Sequence, residues 1–109
     1  RVYTALVPAD TESRGPFLSW DAAQAAFQLL SQSAGTRLVA ELQSKQIKAR
    51  SLITPLRPLN NITTAALAVE LSPSSANISE LNSPAYQQFI AGAVAGGLAN
   101  IRDKLEARP

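Results

Sequence analysis

The run Thr64-Ala65-Ala66-Leu67-Ala68-Val69-Glu70-Leu71 constrains this chain more than any other stretch. From Ala65 it is continuously apolar except for one carboxylate. Bounded by polar segments, it reads as a strand buried on both faces, the kind found in parallel sheets. Such a strand needs helices to cover it, and two helical stripes flank it. Upstream, apolar residues recur at Trp20, Ala23, Phe27, Leu30, Ala34, Leu38 and Leu42, in steps of three and four. Ser19 is placed to cap that helix, with Asp21 in its first turn. Gly35 is expected to break or kink it near Ser33, and the pattern fades at Gln46 to Lys48. Downstream, Ser83-Pro84 is a cap residue followed by proline at the first helical position. Tyr86, Ile90, Val94, Gly97, Ile101 and Leu105 form the second stripe, and Arg102 and Lys104 suit its C-terminal end. Glycine costs roughly 1 kcal/mol in a helix interior, so Gly92, Gly96 and Gly97 predict close helix–sheet packing.

Two shorter runs read as strands. Val2 to Val7 is stopped by Pro8, and Ser51 to Thr54 precedes a stretch punctuated by Pro55, Pro58, Asn60 and Asn61. Ala9 to Ser19 and Ser72 to Asn82 read as loops. The order strand, helix, strand, strand, helix is an α/β pattern. It predicts helices near 20–46 and 83–106 on a mostly parallel or mixed sheet of about three strands. The Thr64 to Leu71 strand is expected at its centre, with Glu70 at the strand's C-terminal end. The Val2 to Val7 strand is expected to leave an open or foreign-paired edge, which invites self-association. At 109 residues the chain is one domain at most. It starts at Arg1 and enters a strand at once, which reads as a piece of something longer or a processed product.

Composition closes several function classes. There is no Cys and no His, so disulfides, thiolate metal sites and the commonest metal ligand and general base are all absent. The eight acidic residues are mostly scattered. Net charge is +2, and most of the basic excess (Arg37, Lys45, Lys48, Arg50 and Arg57 against Glu41) reads as a solvated helix end. With 6% aromatic residues and no basic stripe, nucleic acid is not an expected partner. No stretch reaches the roughly 18–20 apolar residues of a membrane span. There is no Gly-rich phosphate loop and no nucleophile elbow. Asn61-Ile62-Thr63 and Asn77-Ile78-Ser79 match the glycosylation acceptor pattern, which is short enough to occur by chance.

Glu70 is the residue that stands out. It ends an apolar strand, and ligands of open α/β sheets collect beyond the carboxyl ends of strands. The other reading is a carboxylate that emerges at the strand end, solvated or salt-bridged. Trp20, the only Trp, reads as a core or rim anchor. Arg57, between two prolines, is either a substrate clamp or simply exposed.

Ala65-Ala66-Leu67-Ala68-Val69-Glu70, a polar loop, then Leu81-Asn82-Ser83-Pro84-Ala85-Tyr86-Gln87-Gln88 and a small-residue helix resemble the C-terminal half of the zinc-dependent N-acetylmuramoyl-L-alanine amidases. Trp20-Asp21-Ala22-Ala23-Gln24, the Ser33 to Leu42 helix and Pro55-Leu56-Arg57-Pro58-Leu59-Asn60 are similar to one branch of that family, so the resemblance covers nearly the whole chain. It implies a single partial domain over residues 1–109, the C-terminal portion of a three-layer α/β/α fold. It also implies hydrolysis of the amide between the lactyl group and L-Ala in peptidoglycan, in the bacterial periplasm or cell envelope. Glu70 would then be the catalytic glutamate, with Asn60 and Arg57 toward substrate. The zinc implied for the complete domain has its two His and one Glu in the N-terminal half, so this chain supplies no metal ligand and is expected to be inactive alone. Ala65 stands where the family has Pro, Leu71-Ser72 where it has Gly-Phe, and Asn60 where an Arg is often found. The alternative is a non-catalytic wall-binding or regulatory module with an amidase-like half-fold.

Overall fold

The computed structural model describes residues 1–7, 23–73 and 76–106. Trp20, the Ser19 cap and Asp21 lie outside them. Three short strands form one mixed sheet in the order β2-β1-β3: β1 Val2–Ala5, β2 Ser51–Thr54 and β3 Ala68–Val69. β1 pairs with β2 in parallel, Val2 opposite Ser51, and with β3 antiparallel, Val2 opposite Val69. Backbone bonds Val2 N–H to the Arg50 carbonyl (2.8 Å) and Leu6 N–H to the Thr54 carbonyl (2.9 Å) extend the parallel ladder at both ends.

This corrects two expectations. The N-terminal strand is central and paired on both sides, so the sheet's open edges belong to β2 and β3. The long apolar run contributes only a two-residue strand, at an edge where Val69 is 39% exposed. The physical reason lies upstream in the run. The Ala66 N–H donates to the Ser31 hydroxyl at 3.0 Å rather than to a strand.

Side chains alternate across the central strand, as pleating requires. Val2 and Thr4 face helix α1 (Gln28–Ser44), whereas Ala5 and Tyr3 pack with Leu56, Leu59 and Ala66 on the other face. The cover on that second face is the one-turn helix α2 (Arg57–Asn60), with Pro58 in its first turn. The sheet thus lies between α1 and α2. Helix α3 (Pro84–Asn100) rests on α1, and Val2, Ala34, Leu38, Val39, Leu42, Ala93 and Ile101 form the main core. The stripe expected to continue to 106 is interrupted at Ile101, before the short helix α4 (Arg102–Glu106). No helix among the described residues is long and apolar enough to cross a membrane.

Two glycines act through close approach. Helix α1 runs through Gly35 unbroken, and a Cβ there would lie 3.2 Å from Thr4 Cγ2, so its absence lets the helix settle on β1. A Cβ at Gly97 would lie 2.6 Å from Leu38 Cδ1, so the expected close packing of α3 is helix on helix, not helix on sheet.

Helix α1 ends in a Schellman turn. Ile47 N–H reaches back to the Leu42 carbonyl (3.1 Å) and Gln46 N–H to that of Gln43 (2.9 Å), with Gln46 left-handed at φ 62°. Ile47 then packs on the main core, fixing where the chain leaves for β2.

Candidate functional site

The ladder between β1 and β3 continues one residue further. Arg1 and Glu70 exchange both backbone bonds, each 2.9 Å, which makes them a directly opposed antiparallel pair. Tyr3, opposite Ala68, shares their face and is Glu70's diagonal neighbour. The Tyr3 hydroxyl donates to Glu70 Oε2, and Arg1 Nη1 lies 3.3 Å from the same oxygen. Both members of the Arg1–Glu70 pair are half exposed.

This setting favours the anion. The Tyr3 hydrogen bond is the largest influence; loss of hydration, next in size, pulls the other way, but with the Arg1 charge and hydrogen bond added Glu70 stays below the ordinary carboxylate value. Tyr3 and then Glu70 in turn push the Arg1 guanidinium up. Glu70 can accept hydrogen bonds, hold a cation or take up a proton from a stronger acid beside it.

Beyond Glu70 the chain is tied to α3. The Tyr86 hydroxyl donates to the Ser72 carbonyl at 3.1 Å, and the Gln87 side-chain amide donates to the Leu81 carbonyl at 2.9 Å. The Ser83 hydroxyl caps the helix at Tyr86 N–H, with Pro84 in its first turn, as the sequence predicts. Glu70 also borders a small cleft of about 60 Å³ walled by Val2, Leu42, Ile90 and Val94, room for a few waters and not for a sugar.

The three sequence-predicted site residues are not brought together. β3 runs against β1, so Glu70, at the carboxyl end of its own strand, sits at the amino end of β1 and β2. Arg57 and Asn60 follow β2 and belong to the opposite end. Arg57 is exposed there. Asn60 is buried, and its Oδ1 has no hydrogen-bond partner, nor does that of Asn61.

The structure also shows two polar residues to which the sequence assigned no role of their own. Gln24 and Ser31 are fully buried. The Gln24 amide donates to the carbonyls of Ile62 (2.5 Å) and Thr64 (2.6 Å), and its oxygen accepts from Ser31 Oγ at 3.0 Å. Gln24 N–H donates to the Asn60 carbonyl at 3.1 Å. Together they hold the connection from α2 to β3 as a ladder would. The sequence signal was available: Gln24 and Ser31 interrupt the apolar face of the first helical stripe.

No three His, Cys, Asp or Glu side chains come together among the described residues, and the chain has no His or Cys at all. The described residues, with no imidazole or thiolate to offer, therefore do not fit a zinc site. No protein-family model, no curated protein and no solved structure matches the chain.

Proposed function

We propose that the chain is the C-terminal part of a peptidoglycan amidase catalytic domain, an N-acetylmuramoyl-L-alanine amidase of the bacterial periplasm or cell envelope. Glu70 is its acid/base carboxylate, and the metal ligands lie outside these residues. One observation supports this reading most. Glu70 closes a strand and is followed by a loop that Tyr86 ties to a capped helix opening Pro84-Ala85-Tyr86-Gln87, the arrangement that the sequence resemblance implies. Glu70 would take the proton of the attacking water and return it to the leaving amine. Tyr3 and Arg1 would orient it. The partners of this reading are a muramoyl peptide, the N-terminal half of the domain and, through the open edge of β2 or β3, a second copy.

One observation favours the second reading, a non-catalytic wall-binding or regulatory module. Proton shuttles work best with a pKa near the operating pH, and Tyr3 and Arg1 move Glu70 the other way. Replacing Glu70 with Gln and with Ala in the full-length protein separates the two. The amidase reading expects unchanged zinc content and a fall in muramoyl-peptide hydrolysis of roughly 10²–10⁴-fold for both variants. Near-normal turnover of Glu70→Gln would reduce Glu70 to a strand-end ion pair.

A further inference from the structure

Three adjoining hollows merge into one groove between the 46–50 connection, the 70–73 segment and the first half of α3. The largest holds about 490 Å³ and is walled by Ile47, Pro73, Tyr86, Phe89 and Ile90, with Lys48 and Ser72 at its rim. That volume is in the range of small-ligand sites. Lys48 and Ser72 lead into a second hollow of about 290 Å³ that also has Arg1 and Arg50 on its walls.

The charges around the groove are unequal in their commitments. The Glu70 carboxylate is held by Arg1 and Tyr3, and Glu80 stands on the wall of the larger hollow. Lys48 and Arg50 are exposed and make no ion pair among the described residues. Phe89 offers 54% of its surface and lines the same hollow as Lys48. A bare inorganic anion would use the cations and leave the apolar wall idle. A purely apolar ligand would leave the cations idle.

We propose that this groove binds an acidic peptide, seating a carboxylate at Lys48 and Arg50 and an adjacent apolar side chain against Phe89 and Ile90. The inference does not rest on the amidase reading, since it concerns binding by residues other than Glu70. Titrating the 109-residue protein with the N-acetylated tetrapeptide Ala-Glu-Leu-Glu, followed by amide NMR shifts, tests it. The acidic peptide is expected to move the signals of Lys48, Arg50, Ser72 and Phe89. Its Gln-substituted, C-amidated analogue should bind at least about tenfold more weakly, which is about 1.4 kcal/mol. Lys48→Glu and Arg50→Glu should each cost a similar factor and Phe89→Ala a smaller one, with circular dichroism confirming the fold. Arg37→Glu, on an exposed turn of α1, should change nothing. Equal binding of the neutral analogue or of inorganic phosphate, equal losses in Arg37→Glu and Lys48→Glu, or no shifts at millimolar peptide would each overturn the proposal.

Discussion

The two ends of the sheet hold their polar residues in opposite states. At the carboxyl end of β1 and β2, Gln24 and Ser31 are shut away from water, and the Gln24 amide is saturated by two backbone carbonyls and a hydroxyl. At the amino end, Arg1, Tyr3 and Glu70 are bound to one another and stay in contact with solvent. The first arrangement replaces missing strand pairing, and breaking it strands buried groups without water. The second can be rearranged at little cost, because water takes over whatever is released. Architecture sits at one end and available charge at the other.

The largest effect should come from Gln24→Ala, which leaves the Ile62 and Thr64 carbonyls and the Ser31 hydroxyl short of a partner and opens a void. A loss of roughly 3 kcal/mol in urea unfolding is expected. A loss under about 1 kcal/mol would mean that water enters and that the two ends are alike. Ser31→Ala should cost about 1–2 kcal/mol. A double-mutant cycle with Gln24→Ala should show clear coupling, because both act on the 62–66 segment.

At the other end, Tyr3→Phe and Glu70→Gln should each cost less than Ser31→Ala, and their effect should depend on pH. Glu70 is lowered in the folded protein relative to its ordinary value of 4.5. A depressed carboxylate contributes stability that is present above the unfolded value and lost as pH falls through the folded one. The gap between the wild type and Glu70→Gln in denaturation midpoint should therefore be constant near pH 7 and close as the pH drops below about 4.5. A gap that persists unchanged at pH 2 would show that the carboxylate charge is not what the cluster uses.

The smallest effect is a null one. Calorimetric titration of the 109-residue protein with Zn²⁺ should show no stoichiometric site, because the chain has no imidazole or thiolate and no three carboxylates come together among the described residues. Micromolar or tighter one-to-one binding would mean that the amino end is a metal centre in its own right.

Periodicity made the helices and the N-terminal strand legible. The stripe through Ala34, Leu38 and Leu42 is the face α1 buries, and Ser83-Pro84 opens α3. It failed on Thr64 to Leu71 because an apolar run reports burial and not what the backbone bonds to. Ser31 takes the Ala66 N–H, so the strand starts only at Ala68 and runs to Val69, with the Arg1–Glu70 pair one residue beyond. Glu70 was legible as the lone carboxylate of that run. Its partners were not, since Arg1 and Tyr3 are nearly seventy residues away in sequence and meet it only through antiparallel register. The direction of that register also put Arg57 and Asn60 at the far end, where spacing alone could not have sent them.

The Schellman turn at the end of α1 bears on how fast and how tightly anything can be held next to it. Lys48 and Arg50 project from a backbone already fastened to the helix by two nested bonds and a partly buried Ile47. Freezing a loose residue costs about 1–2 kcal/mol of backbone entropy, and here folding has met that cost before any encounter. A ligand would have only the two side chains to quieten, roughly 0.5–1.5 kcal/mol each. The left-handed Gln46 thus makes the neighbouring cations a preorganised bracket and not a loop that must find its shape.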